Sequence, residues 1–191
     1  MSERLRAFVA VPLGHEVARE VSALLEDLAR TGVDVRWVRP EGLHCTLKFL
    51  GLVEKTDLEA LSEKLRAPLA SVGPFPVRVR GIGAFPSWKN PRVLWLGLEG
   101  EPLGRLAEIV ETEAASLGFP RETRPFRPHL TLGRFRSQRQ WSRAAPVVEE
   151  KGRRELGSFT VRDVVVFRSE LSREGARYTP LWTIPLGPST L

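Results

Sequence analysis

The alternation of apolar and polar residues divides the chain into short strands and amphipathic helices. Residues 5–11 read as a strand, whose apolar run from Ala7 to Val11 ends at Pro12. Over 15–30 the period becomes helical: Val17, Val21, Leu24, Leu25 and Leu28 share one face, and Gly32 lies beyond the end. Strand patterns return at 35–38 and 43–50, around a turn at Pro40-Glu41-Gly42. Thr56-Asp57-Leu58-Glu59 has capping-box spacing and predicts a second helix carrying Leu58, Leu61, Leu65 and Leu69. Strands are predicted over 74–85, where Val77-Arg78-Val79-Arg80 alternates, and over the more continuously apolar 93–98. A third helix runs from Pro102, a good first-turn residue, to Leu117, where Gly118 stops it. A strand over 126–135 follows, then an ambiguous segment over 137–152 that reads as helix or loop. Strands over 159–167 and 178–184 close the chain, joined by the polar, turn-rich 170–177.

A chain of 191 residues suits one domain or two closely joined lobes. With 42% hydrophobic and 27% charged residues it reads as an ordinary soluble protein, and the cytoplasm is the expected location. No run approaches the ~18 consecutive apolar residues of a membrane span, and the first residues lack a signal-peptide cleavage pattern. The single cysteine, Cys45, allows no internal disulfide. The histidines are His15, His44 and His129, and the carboxylates show no metal-ligand spacing, so neither a metal nor another cofactor is expected. The net charge of +6 favours polyanionic partners without identifying one.

The chemistry concentrates in two short motifs, His44-Cys45-Thr46 and His129-Leu130-Thr131, 85 positions apart. Arg39-Pro40 and Arg124-Pro125 lie on the approaches, which suggests two similar lobes facing each other. On a strand, residues i and i+2 share a face. Each motif thus presents an imidazole and a hydroxyl together, with Cys45, Leu47, Leu130 and Leu132 turned to the other side. Opening a phosphodiester in line needs a base for the attacking water and an acid for the departing oxygen. Histidine can fill either role near neutrality. The threonine hydroxyls can stabilise charge on the non-bridging oxygens, and Lys48, Arg127 and Arg134 lie near enough in sequence to add positive charge.

A lone histidine in a strand is usually structural, and ten threonines in 191 positions put one two places after a given histidine about 5% of the time. Two of three histidines sharing the pattern in apolar strand contexts is a different matter. His15, at a helix start, is read as a surface or capping residue. Cys45 is read as a small buried hydrophobe. The tryptophans at 37, 88, 95, 141 and 182 are assigned to packing. Phe49 falls on the face opposite His44 if its strand is regular, so stacking on a base requires a twist or bulge there.

At these residues the chain resembles the two-histidine (2H) phosphoesterases, specifically the RNA 2′,3′-cyclic phosphodiesterases first named 2′-5′ RNA ligases (LigT or ThpR). The resemblance extends over nearly the whole chain. It includes Arg6-Ala7-Phe8-Val9-Ala10, Leu43 to Gly51, Arg92 to Gly97, Arg124 to Arg134, and the stretch from Ser169-Glu170-Leu171 to Tyr178. It implies an α+β fold: two pseudo-symmetric lobes of antiparallel sheet, helices outside, both motifs in a central cleft, and 1–191 as one bilobal domain. It implies that His44 is the proton donor, His129 the proton acceptor, and that Thr46 and Thr131 hold the phosphate. Phe49 and Arg134 match positions that contact the nucleotide or phosphate. The expected partners are RNA ends or cyclic nucleotides, with no membrane and the protein a monomer. The alternatives are 2′-5′ ligation by the same residues, a related nucleotide or ADP-ribose cyclic phosphodiesterase, and an RNA-binding module without turnover.

Overall fold

The helical stripes become the buried faces of three helices in a computed structural model describing residues 3–172 and 175–188. In chain order the elements are β1 (Arg4–Pro12), α1 (His15–Ala29), β2 (Val35–Trp37), a 3-10 turn (Pro40–Gly42), β3 (His44–Glu54), α2 (Lys55–Ala70), β4 (Phe75–Pro86) and β5 (Pro91–Glu99). Then come α3 (Pro102–Ser116), β6 (His129–Phe135), α4 (Trp141–Gly152), β7 (Glu155–Val161), β8 (Asp163–Ser172) and β9 (Gly175–Pro185). Val17, Val21, Leu24, Leu25 and Leu28 are buried on α1, and Leu58, Leu61, Leu65 and Leu69 on α2. Each fully buried leucine contributes roughly 1.5–3 kcal/mol. Among the described residues no helix is long and apolar enough to cross a membrane.

The strands form two antiparallel sheets, of order β3-β1-β8-β9 and β2-β6-β5-β4-β7. Helices α2 and α3 pack on the first through β9 and β3, and α1 and α4 pack on the second through β7, β2 and β4. The other face of each sheet turns to the cleft between them. There β3 and β6, the two motif strands, pack against each other. Strand β1 is buried on both faces. Leu5, Ala7, Val9 and Val11 join the core, whereas Phe8 and Ala10 are buried on the cleft side, so the run reads as continuously apolar.

Several sequence expectations need correction. Thr56 does not cap α2, which begins at Lys55 with its N–H bonded to the Glu3 carbonyl at 2.9 Å. Strand β6 begins at His129 rather than 126, because Pro125 and Pro128 carry no N–H for a ladder; the Pro128 carbonyl alone accepts from Leu98 N–H, at 3.2 Å. The run over 159–167 is two strands, broken at Arg162, that belong to different sheets. The ambiguous 137–152 contains α4, with Pro146 inside it. The expected loop over 170–177 is mostly strand: β8 continues to Ser172 and β9 starts at Gly175, and positions 173–174 lie outside the described residues.

Candidate active site

Strand β3 begins at His44, and for its first residues the expected alternation holds. His44 and Thr46 are half-buried, while Cys45 and Leu47 are buried in the core. Opposite them on β1 the register passes from Thr46↔Ala10 to Lys48↔Val9, so Leu47 is an extra residue and β3 bulges. Leu47 and Lys48 both turn inward, and the phase of the strand reverses. Phe49 therefore stands on the same face as His44, 67% exposed, with its ring 6.1 Å from that of Phe8.

The second motif repeats this construction. On β6, His129 pairs with Gly97 and Thr131 with Trp95, but Gly133 pairs with Leu94, so Leu132 is the extra residue. Leu132 and Gly133 are buried, and Arg134 emerges on the cleft side, exposed. Phe49 and Arg134 thus occupy equivalent places, each five residues after its histidine. The residue after the bulged leucine, Lys48 in one strand and Gly133 in the other, differs for a local reason. Strand β6 is flanked by β2, and a Cβ at Gly133 would lie 2.4 Å from Val35 Cγ1. On the edge strand β3 the same place admits a lysine.

Each imidazole is held by its own backbone. His44 Nδ1 donates to the Gly42 carbonyl and His129 Nδ1 to the Arg127 carbonyl, both at 2.7 Å. Since a carbonyl only accepts, Nδ1 carries the proton in both rings and Nε2 is left for the cleft. His44 stacks on Phe8 with centroids 4.6 Å apart and meets the edge of Tyr178 at 5.0 Å. His129 meets Phe85 edge-on at 5.1 Å and Trp95 at 6.1 Å. Burial holds both imidazoles below their ordinary pKa, and the carbonyl bonds offset it in part. The charge of His129 further lowers His44, and that of Arg134 lowers His129. Among the described residues the Thr46 and Thr131 hydroxyls have no hydrogen-bond partner within the protein. The site therefore offers two imidazole nitrogens, two free hydroxyls and an exposed guanidinium.

This geometry is matched by sequence kinship. The model of the LigT like Phosphoesterase family fits the chain twice in succession, over residues 11–95 and 96–178, each stretch carrying one motif. The chain belongs to the LigT-like phosphoesterases. Relatives of these phosphoesterases include the RNA 2′,3′-cyclic phosphodiesterase of Methanothermobacter thermautotrophicus, 36% identical over 93% of this chain and 97% of that protein. The protein of the same name from Archaeoglobus fulgidus is 37% identical over 93% of this chain and 98% of its own. Among solved structures, TT0787 of Thermus thermophilus is similar at TM-score 0.76 and 31% identity, covering 97% of this chain and 100% of that one. LigT of E. coli in complex with 3′-AMP is similar at 0.72 and 27%, covering 96% and 99%.

Within this LigT-like site some residues fall elsewhere than expected. Lys48 is buried, and its Nζ donates to Glu111 Oε1 at 2.7 Å and to the Pro120 carbonyl at 2.8 Å, so it cannot meet a phosphate in the cleft. The bulge that frees Phe49 is what turns Lys48 inward. Cys45 lies against the backbone of His129, and burial pushes its thiol up to about 12. His15 is exposed at the start of α1, as expected. Trp141 is in the core, and Trp37, Trp88 and Trp182 pack against the core, but Trp95 lies beside His129. Phe8, Phe167 and Tyr178, which surround His44, carry no motif of their own. They meet only because β1, β8 and β9 are neighbours, a fact that local periodicity does not contain.

Proposed function

We propose that this protein opens RNA 2′,3′-cyclic phosphates to 2′-phosphomonoesters, as one bilobal unit, by general acid–base catalysis with His44 and His129. The observation that carries the reading is the duplicated ring geometry: two imidazoles with Nδ1 tied to the backbone and Nε2 left for one cleft. Water attacks the phosphorus as His129 Nε2 takes its proton. The bond from phosphorus to O3′ breaks on the opposite side, and His44, starting protonated, gives its Nε2 proton to O3′. Water is thereby added across one P–O bond. Thr46 and Thr131 donate to the non-bridging oxygens, Arg134 balances their charge, and Phe49 offers a face for the base. The names of the relatives, and the 3′-AMP complex of E. coli LigT, support a nucleotide phosphate as the ligand.

The test is an RNA oligonucleotide ending in a 2′,3′-cyclic phosphate, incubated with protein and then with phosphatase. The cyclic end resists phosphatase, and the expected product does not. Wild type should confer sensitivity, and His44→Ala and His129→Ala should do so at a rate lower by roughly 100-fold or more. Near-normal turnover by His129→Ala would overturn the assignment.

A further inference from the structure

The open face of the four-stranded sheet continues beyond Phe49. A second extra residue in β3, Leu50, puts Leu52 directly opposite Arg6 of β1. Strand β1 is regular against β8, so Arg6 shares the cleft-side face of Phe8 and Ala10. On β8 the same face carries Phe167, Ser169 and Leu171, and Tyr178 lies opposite Ser169. Among the described residues the exposed large hydrophobics are Phe49, Leu52, Val147 and Leu171. All but Val147 stand on this one face, Leu52 at 56% and Leu171 at 72% exposed. Arg6 is exposed among them and has no carboxylate partner among the described residues. Its neighbours differ: Arg4 is paired with Glu54 at 3.4 Å and Arg168 with Glu170 at 3.0 Å. The charge of Arg6 also reaches Tyr178, the ring beside His44.

We propose that this face binds the nucleotide on the 5′ side of the reacting RNA end, with Arg6 taking the phosphodiester that joins it to the terminal ribose. Leu52 and Leu171 form the apolar shelf for its base. The proposal rests on the functional reading above and adds a second subsite to it. Its occupant follows from continuity and charge. Successive residues on one face of a strand are roughly 6.8 Å apart, and Arg6 stands one such step beyond Phe8 and Phe49. A guanidinium with no carboxylate partner among the described residues, set between exposed apolar side chains, suits a partner that alternates anionic links with flat rings, which is a single nucleic-acid strand.

The experiment compares kcat/KM on adenosine 2′,3′-cyclic phosphate and on a hexaribonucleotide ending in the same group. Wild type is set against Arg6→Gln and the Leu52→Ser/Leu171→Ser double variant. These positions are exposed, and unchanged melting temperatures verify that the fold is kept. Both variants should lose roughly tenfold on the hexanucleotide and keep the wild-type value on the mononucleotide. For Arg6→Gln the slope of log(kcat/KM) against log salt should fall by about 0.7, the value of one single-strand phosphate contact. Equal losses on both substrates, or no loss on the hexanucleotide, would overturn the subsite and leave the functional reading standing. If wild type turned over neither substrate, the functional reading would fall. Fluorescence anisotropy with a labelled oligoribonucleotide bearing a 2′-phosphate then decides the surface: weaker binding by Arg6→Gln supports it, and unchanged binding overturns it.

Discussion

His44 and His129 are chemically alike, and under the proposed mechanism what separates their roles is protonation. Turnover on free enzyme requires one ring charged and the other neutral, so kcat/KM should be bell-shaped in pH. Because burial lowers both pKa values, the fraction in the working state should peak on the acid side of ~6.5. An anionic phosphate between the rings favours their charged forms, so the kcat profile should lie at higher pH than that of kcat/KM. Measuring both profiles on a cyclic mononucleotide checks this, and a kcat/KM maximum on the alkaline side of neutrality would contradict it. Cys45 supplies a control in the same strand. A buried thiol pushed up to about 12 is unreactive, so iodoacetamide should leave native protein unlabelled and label it after denaturation.

At the scale of elements, the two bulges decide what reaches the cleft. Without them Phe49 and Arg134 face away from the histidines, and with them Lys48 turns into the protein. Lys48 then ties the motif strand β3 to α3 through Glu111, which also accepts from Glu122 N–H at 3.3 Å in the segment that leads to β6. The side chains of this ion pair are 5% and 14% exposed, so removing one partner strands a charge. Lys48→Met should cost about 3 kcal/mol of stability, and Lys48→Met/Glu111→Leu should recover most of that loss, as read by urea unfolding. A double variant no more stable than the single would show that the pair is not the source. The alternation of β3 and β6 was legible up to the third residue of each motif, and the stripes of α1 and α2 were legible throughout. The bulges were not, because an extra residue is defined by the partner strand's register. Phe49 was legible only as a condition: a base contact required a bulge, and β3 has one.

Across the whole molecule, each lobe is assembled from distant parts of the chain. The first sheet takes β1 and β3 from the N-terminal half and β8 and β9 from the end, while β2 joins the second sheet. This exchange explains why the run over 159–167 misled: apolar alternation persists while the chain passes from one sheet to the other at Arg162. It also explains why two facing motifs were legible although their surroundings were not. The motifs are local, whereas Phe8, Phe167 and Tyr178 meet around His44 only after four strands have found their neighbours. The proposed chemistry uses only side chains that this assembly brings together, with no divalent ion in any step. Its most direct test is a phosphorus NMR time course of 2′,3′-cyclic AMP with wild-type protein in excess EDTA. The expected result is conversion to 2′-AMP, with the P–O3′ bond broken, at a rate unaffected by the chelator. Accumulation of 3′-AMP, or a reaction that stops in EDTA and resumes with one added metal, would contradict it.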